Sequence, residues 1–392
     1  MKFCILTPRF PFPENGGDVL RINNIARYLK SKNHELVLVS FSDEKIQVKE
    51  EYYRLYDTIY TIKRSKIFSL FMSLFFSLTG RPIQCGYYFS FNYLKLFRKV
   101  INNELPDIYI SHLLRMVPYL EITNKQDCSI IEMTDALSKT YTLSSKAKGS
   151  SLKKTIYFLE KRLINRYECH VIKSFPKVAL VSASDIQYLQ QQSGNNFKNI
   201  VLYTNGVDCI HTIPKTYDNR KICFVGNMRT LQNQDAVMYF IKDIFPLIKQ
   251  SVPDAIFTII GAEPPEPVKT LADGKNIIVT GFVDDIQAAV SECCVAVAPV
   301  RVAAGIQNKV LVSMGCGVPV IMSSLIAGAI PELESGKNCF ISDVPETFAN
   351  YCITLMNDTN IRSSISETGY KMVKEKYSWF EKLKGYEQLK FK

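Results

Sequence analysis

Residues 295–324 read VAVAPVRVAAGIQNKVLVSMGCGVPVIMSS, and this stretch decides how the rest of the sequence is interpreted. The apolar run 295–299 predicts a short buried strand, and the apolar residues between 306 and 314 recur at the spacing of one helix face. Gly317 ends that helix, and the run 318–322 predicts a second strand. A strand, a loop, a helix and a strand in this order are typical of an α/β fold with a parallel sheet.

The loop before this helix has the features of an anion site. It would place the helix N-terminus at the carboxyl edge of the sheet, where unpaired N–H groups and the helix dipole favour a phosphate. Gly305 would let a ligand approach the backbone, and Lys309 would add positive charge. The residues predicted to hold the phosphate are Gly305, Ile306, Gln307, Asn308 and Lys309. The alternative is that this stretch is one ordinary unit of a doubly wound domain.

The size and charge of the chain limit its class. A length of 392 residues is enough for about two domains, each with its own core. The formal net charge of +11 indicates an anionic partner, but the sequence contains no helix-turn-helix, zinc-finger or RNA-binding signature. We therefore expect no nucleic acid as a partner, and we favour an anionic lipid surface and an anionic nucleotide sugar.

The eleven cysteines predict neither disulfides nor a metal site. None forms a C-x-x-C pair, and most, such as Cys4, Cys223 and Cys316, lie inside apolar runs. They are typical of reduced core residues, which indicates a cytoplasmic protein. The N-terminal apolar run is too short for a signal peptide, and no stretch reaches the ~20 apolar residues of a membrane span. Asp284 and Asp285 suggest a metal at first sight, but a helix N-cap is the stronger interpretation.

The N-terminus has the pattern of a βαβ unit. The run 2–7 predicts a strand, Gly16 and Gly17 end the following loop, and Asp18 is expected to cap the next helix. The run 35–41 predicts the second strand. Because no G-x-G-x-x-G occurs in the first turn, a classical dinucleotide-binding role is disfavoured.

An apolar segment with basic flanks lies at 63–82 and reads KRSKIFSLFMSLFFSLTGRP. It is too short to span a bilayer, but its length and flanks suit a position in the membrane interface, with Lys and Arg against anionic headgroups. Aromatic and basic residues continue the pattern through 87–99. The alternative is an internal helix packed between the sheet and solvent. The first interpretation predicts peripheral attachment to the inner face of a membrane.

Two stretches carry a resemblance to a known family. GIQNKVLVSMGCGVPVI at 305–321 and RFPFPENGGDVLRINNIARYLKSKNHELVLVSF at 9–41 resemble the retaining GT-B glycosyltransferases, the large family that contains sucrose synthase and bacterial O-antigen and capsule sugar transferases. The resemblance implies an α/β fold of the GT-B type, with two Rossmann-like domains facing a central cleft. It implies an acceptor-binding domain at 1–198, a donor-binding domain at 199–376, and a C-terminal helix at 377–392 that packs back on the first domain.

The resemblance also implies where a nucleotide-sugar donor binds. In many members the helix corresponding to 305–313 carries two glutamates, and here those positions hold Gly305 and Ser313. A serine hydroxyl would bind a ribose more weakly than a carboxylate. Gly16 and Gly17 would lie near the donor phosphates, unless they only form a turn. The remaining implied contacts are Asn227 and Gln232, at the places of the family's arginine and lysine, and Arg229, two positions away.

Two residues are candidates for the acceptor side. His112 follows the predicted strand PDIYIS, and the family often has a histidine at about this place, near the transferred sugar. His112 is therefore a candidate catalytic residue, with a structural histidine as the alternative. Asp135 lies in TDALSKTY, which looks like an element of O-antigen-type members, and either binds an acceptor hydroxyl or caps a helix.

The activity that the resemblance implies is transfer of a hexose or related sugar, with retention, from a nucleoside diphosphate sugar to a lipid-linked saccharide of a bacterial surface polysaccharide. No cofactor and no bound metal are expected, because the helix dipole and cations would neutralise the leaving diphosphate. Two alternatives stay open. One is a nucleotide-sugar epimerase of the same fold, and the other is a non-catalytic nucleotide-sugar-binding or scaffold protein of the assembly complex, which the missing glutamates favour.

Overall fold

Apolar strands separated by helices build two parallel sheets, each in its own compact unit. The computed structural model describes residues 1–14, 16–42, 49–145, 151–194, 197–213, 218–301 and 307–389. One unit comprises Met1–Asn205 and Leu383–Lys392, and the other comprises Gly206–Lys382. The division after Asn205 follows from the first sheet, which takes a last short strand at Ile200–Leu202, beyond the expected boundary at 198.

The first unit contains a seven-stranded sheet whose order is β3-β2-β1-β4-β5-β6-β7, with every pairing parallel. Its elements are β1 (Lys2–Thr7), α1 (Gly17–Ser31), β2 (Glu35–Ser42), β3 (Thr58–Lys63), α2 (Lys66–Leu78), α3 (Ile83–Tyr87), α4 (Phe91–Glu104), β4 (Ile108–His112), α5 (Val117–Ile122), β5 (Ser129–Thr134), α6 (Leu137–Ser145), α7 (Ser151–Ser174), β6 (Lys177–Leu180), α8 (Ala183–Ser193) and β7 (Ile200–Leu202). Most residues of β1, β2, β4 and β5 are buried on both faces, as is expected for parallel strands covered by helices, whereas the edge strand β3 is only partly buried.

The second unit contains a six-stranded parallel sheet in the order β10-β9-β8-β11-β12-β13. Its elements are β8 (Asp218–Val225), α9 (Leu231–Tyr239), α10 (Phe245–Ser251), β9 (Ile256–Ile260), α11 (Glu266–Lys269), β10 (Ile277–Gly281), α12 (Ile286–Ser291), β11 (Cys293–Ala298), α13 (Asn308–Gly315), β12 (Val320–Met322), α14 (Ser324–Ala327), β13 (Phe340–Ile341), α15 (Pro345–Asn357), α16 (Thr359–Lys376) and α17 (Trp379–Lys382). A π-helical turn, Phe240–Ile244, joins α9 to α10.

The described parts of the stretch 295–324, which are 295–301 and 307–324, fold as the pattern predicts. Strands β11 and β12 pair in parallel with Ala296 opposite Val320, and α13 connects them. The helix ends where Gly317 takes a φ of 68°, a conformation that favours glycine, and a Cβ there would lie 2.7 Å from Ile213. Both predicted strands and the predicted helix are therefore confirmed.

One local prediction at the first helix was wrong. Asp18 does not cap α1, because Gly16 occupies the N-cap position with a φ of 129° and Asp18 lies in the first turn. There its carboxylate pairs with Arg9 and also lies near the positive end of the helix dipole. The prediction for Asp285 is confirmed, since its carboxylate accepts a hydrogen bond from the backbone N–H of Ala288 at 2.9 Å.

Most of the cysteines lie in the interior of the protein. All eleven cysteines are free thiols, and eight of them are buried. Among the residues with described positions, no three His, Cys, Asp or Glu side chains gather closely enough to hold a metal ion. Across the same residues, none of the helices combines the length and the apolar character that crossing a membrane requires.

Candidate functional site

Lys309 lies at the carboxyl edge of the second sheet, in the first turn of α13. That helix begins at Asn308 with Gln307 at its N-cap, so the buried side chain of Gln307 and the exposed side chain of Asn308 flank the helix start. The Lys309 ammonium lies 4.5 Å from the ring centroid of Phe224, the second-last residue of β8. Because this position is partly buried, the pKa of Lys309 falls to about 8.

Asn233 orients this ammonium. The buried Asn233 side chain accepts a hydrogen bond from Lys309, and its amide nitrogen donates to the backbone carbonyl of Asn227 at 2.8 Å. These two bonds define which end of the amide faces the lysine. An ammonium has three donors and, among the described residues, only Asn233 accepts a hydrogen bond from it, so these residues leave two donors for the oxygens of an anion.

Two glycines let the chain pass close to this group. A Cβ on Gly226 would lie 2.6 Å from the amide nitrogen of Asn233. Gly261, at the end of β9, has a φ of 156°, and a Cβ there would lie 1.9 Å from the carbonyl oxygen of Gly226. The carboxyl ends of β8 and β9 therefore approach each other closely at positions that accept only glycine, beside the amide that bonds to Lys309.

The other residues predicted for the donor lie in different surroundings. Asn227 caps its own loop, accepting from the backbone N–H of Arg229 at 2.8 Å, while the exposed Arg229 side chain pairs with Glu263. Ser313 is buried, and its hydroxyl donates to the backbone carbonyl of Lys309 at 3.0 Å. The predicted contacts at Gly305 and Ile306 lie outside the described residues.

The residues predicted in the first unit meet at the carboxyl edge of its sheet. Strands β1, β4 and β5 are neighbours in the sheet. The loop with Gly16 and Gly17 follows β1, His112 is the last residue of β4, and Asp135 follows β5. The backbone is strained at this edge, since Leu113 and Thr134 have φ values of 70° and 68°. Strain of this kind in non-glycine residues persists where the surrounding structure enforces it, and such places are often functional.

His112 is a buried histidine with two unsatisfied ring nitrogens. Its side chain is 2% exposed, and neither nitrogen has a hydrogen-bond partner among the described residues. Burial lowers the pKa of His112 to about 3, so the ring is neutral at physiological pH. Two buried nitrogens without partners cost stability, and a ligand hydroxyl that reached them would recover it. Asp135 is exposed nearby, and desolvation together with the charge of Asp185 raises its pKa.

Sequence reasoning missed a buried ion pair below this edge. The Arg21 guanidinium donates to both carboxylate oxygens of Glu132, at 2.8 and 3.1 Å, and both side chains are almost fully buried. Arg21 also donates to Asn205, and the Tyr386 hydroxyl donates to Glu132, at 3.0 Å in each case. The signal was the single charged residue in the predicted buried strand SIIEMT, because a buried charge needs a partner.

Two Rossmann-like units, each built on a parallel sheet, are the architecture of the GT-B fold. In the second unit, the side-chain ammonium of Lys309 lies at the carboxyl edge of the sheet. Residues 219–358 match the family model described as Glycosyl transferases group 1. The fold is similar to HepE of Anabaena in complex with UDP, at 13% identity and a TM-score of 0.60 over 98% of both chains. It is also similar to WaaG, a glycosyltransferase involved in lipopolysaccharide biosynthesis, at 12% identity and a TM-score of 0.57 over 98% of this chain and 99% of the other.

A relative in Klebsiella pneumoniae is described as an uncharacterized 44.6 kDa protein in the cps region. It is 21% identical over 392 aligned residues, which cover 96% of each chain. With these similarities, the fold expected from the sequence, two Rossmann-like domains of the GT-B type, is confirmed.

Proposed function

We propose that this protein is a glycosyltransferase that moves a sugar, most simply a hexose, from a nucleoside diphosphate sugar to an acceptor hydroxyl. The observation that carries the proposal is the oriented ammonium of Lys309 at the carboxyl edge of the second sheet, beside the paired glycines Gly226 and Gly261. Support for the donor class comes from HepE, whose structures hold UDP and UDP-glucose. UDP is accordingly the first nucleotide to test.

In the proposed reaction the bond between the anomeric carbon and the diphosphate oxygen breaks, and the diphosphate leaves with the electron pair. The acceptor oxygen forms the new bond to the anomeric carbon, and its proton passes to the departing phosphate on the same face, so the configuration is retained. Lys309 and the N-terminus of α13 would stabilise the negative charge that develops on the diphosphate. His112 would position a sugar hydroxyl through its neutral ring.

We propose that Lys309 and the N-terminus of α13 stabilise the leaving diphosphate in place of a divalent metal ion. Transfer in the presence of EDTA at the rate seen without it would support this, and loss of transfer that Mg²⁺ restores would contradict it. Asp135 is the proposed contact for the acceptor, because it is exposed at the same sheet edge as His112.

The proposed acceptor is a lipid-linked saccharide of a bacterial surface polysaccharide, of the capsule or O-antigen type. This proposal is supported by the relative from the cps region of Klebsiella and by WaaG, which acts in lipopolysaccharide biosynthesis. The protein would then work in the cytoplasm, peripherally at the inner face of the membrane that holds the acceptor.

The first experiment is a thermal unfolding series with UDP, GDP, ADP, dTDP and CMP. A ligand of the native state raises the unfolding midpoint. At a concentration a hundredfold above Kd, it adds about 2.7 kcal/mol to the free energy of unfolding. A shift with one nucleoside diphosphate that Lys309→Ala abolishes would place the diphosphate at this lysine. An equal shift in the variant would move the phosphate site elsewhere.

A second candidate function is that of a non-catalytic nucleotide-sugar-binding or scaffold protein. Ser313 favours this function. It stands where many members of the resembled family have a glutamate that binds the ribose, and its buried hydroxyl already donates a hydrogen bond within α13. Incubation with a labelled donor and a membrane extract separates the possibilities. A new glycolipid supports the transferase, donor consumption without acceptor supports an epimerase, and binding without either supports the scaffold.

A further inference from the structure

Helix α2 of the first unit has apolar side chains on two faces. Met72 and Phe76 on its inner face are buried in the core, whereas the apolar side chains of its outer face, spaced three and four positions apart, have individual exposures between 51% and 85%. The residues of this face are Ile67, Leu70, Phe71, Leu74, Phe75 and Leu78. A face this apolar on a helix surface marks an interaction site.

The opposite face of α2 shows how the helix is held in this orientation. Ser69 and Ser73 are buried, and the Ser73 hydroxyl donates to the carbonyl of Ser69 at 2.8 Å. Gly86 of α3 approaches so closely that a Cβ there would lie 2.4 Å from the carbonyl oxygen of Met72. The inner face, with the buried Met72 and Phe76 beside these serines, thus anchors α2 to the unit, and the six residues of the outer face are left exposed. The inner face agrees with the alternative of a helix packed between the sheet and solvent, which leaves the outward apolar face to be explained.

The segment of sequence that carries this face is cationic. Residues 63–103 contain seven Lys and Arg residues and no Asp or Glu. Lys63 and Lys66 are exposed at the start of α2, and the exposed Phe91 extends the apolar face, with its ring 5.9 Å from that of Phe68. On α4 the exposed cations are Lys95, Arg98 and Lys99.

We infer that the outward face of α2 inserts into the interface of an anionic lipid bilayer, with these cations against the headgroups. A helix of 13 residues is roughly 20 Å long and fits the plane of the interface, not the thickness of a bilayer. A second copy of the chain is the less favourable occupant, because a symmetric contact would bring two sets of cations together. The inference rests on the proposed function in one respect, since a lipid-linked acceptor lies in such a membrane.

A tryptophan reporter tests the insertion directly. The sequence has one tryptophan, Trp379, which is 8% exposed in the second unit, so Phe71→Trp adds a probe on the outward face of α2. With vesicles of phosphatidylglycerol and phosphatidylcholine, its emission should shift to the blue and be quenched by brominated lipid. The matched control is Leu231→Trp, on a residue that is 80% exposed in the second unit, and its emission should not change.

Binding is then measured by co-sedimentation with the same vesicles. Leu74→Gln/Leu78→Gln should weaken partitioning by on the order of tenfold or more, whereas Leu231→Gln/Leu325→Gln should not. Lys95→Gln/Arg98→Gln/Lys99→Gln should abolish the preference for phosphatidylglycerol, and salt should weaken binding of the unaltered protein. Because all these side chains are exposed, circular dichroism and the unfolding midpoint should stay unchanged.

Equal binding by Leu74→Gln/Leu78→Gln and the unaltered protein would overturn the inference. An absence of vesicle binding by the unaltered protein would also overturn it. A dimer in light scattering that the same substitutions dissociate would overturn it as well, because that result would assign the face to a second copy of the chain. Failure of the proposed function is separate: vesicle binding without any nucleotide-dependent thermal shift refutes the donor site and leaves α2 as a membrane contact.

Discussion

The side-chain carbonyl of Asn233 accepts a hydrogen bond from the Lys309 ammonium, and the same amide donates to the carbonyl of Asn227 at 2.8 Å. The two side chains are 76 positions apart in the sequence and meet because β8 and β11 are adjacent in the sheet. The amide orients the cation without neutralising it, which is what binding of an anion requires.

Replacing this amide with a carboxylate should weaken nucleotide binding. Asn233→Asp would place a negative charge beside Lys309 and compete with the diphosphate, so we expect about tenfold lower affinity for UDP, or about 1.4 kcal/mol. Isothermal titration calorimetry measures the change. Asn360→Asp, an exposed position at the start of α16, adds the same charge and should leave affinity unchanged. Equal loss in both variants would mean that only net charge matters.

The affinity for UDP should decrease as the pH rises through about 8. Burial holds the pKa of Lys309 at about 8, so the free protein loses this positive charge above that pH, while the diphosphate is already ionised. Titrations from about pH 7 to about pH 9 should show the decrease, and Lys309→Arg should remove it because a guanidinium stays charged. A decrease of the same size in Lys309→Arg would assign the titration to another group.

Removing the His112 ring should lower turnover more than it lowers stability. His112→Ala deletes two buried nitrogens that have no hydrogen-bond partner in the described part of the chain, which offsets the cavity it creates, so a small change in the unfolding midpoint is expected. If the ring positions a sugar hydroxyl, kcat should fall by about tenfold or more with little change in UDP affinity. The control is His170→Ala, at an exposed histidine paired with Glu121. A normal kcat in His112→Ala would make His112 structural.

The ion pair of Arg21 and Glu132 should show strong coupling. Arg21→Met leaves the Glu132 carboxylate buried without its partner and should cost about 3–5 kcal/mol of unfolding free energy. Arg21→Met/Glu132→Leu removes both charges and should be more stable than the single variant. Calorimetric unfolding of the unaltered protein, Arg21→Met, Glu132→Leu and the double variant gives the coupling. If the double variant loses the sum of the two single losses, the pair contributes no such interaction.

Ionisation of the Glu168 carboxyl should lower the free energy of unfolding as the pH rises from about 4.5 to about 7. Burial raises the pKa of Glu168 to about 7, although Ser138 donates to its carboxylate from both its hydroxyl, at 2.5 Å, and its backbone N–H. The folded protein therefore binds more protons than the unfolded chain in this range, and stability falls as the carboxyl ionises. Glu168→Gln should gain on the order of 2 kcal/mol near pH 8 and little near pH 4. An equal gain at both values would contradict this cause.

Much of the fold was predictable because its signals are local. The apolar runs of β1, β11 and β12 and the helix between the last two depend on residues within a few positions of each other, and the structure confirms them. The N-cap at Asp18 was not predictable with the same certainty, because the left-handed φ of Gly16 and the pairing with Arg9 depend on how the loop packs.

The sequence by itself determined the two parallel α/β units, the place of Lys309 at the start of a helix, and the cationic, acid-free segment around α2, since these follow from composition and periodicity along the chain. Only the tertiary structure decided that Asn233 meets Lys309, that Arg21 meets Glu132, and that the apolar face of α2 faces outward. The physical reason is that hydrophobic periodicity identifies a helix face but not the side it packs on, and that partners far apart in sequence are set by strand order.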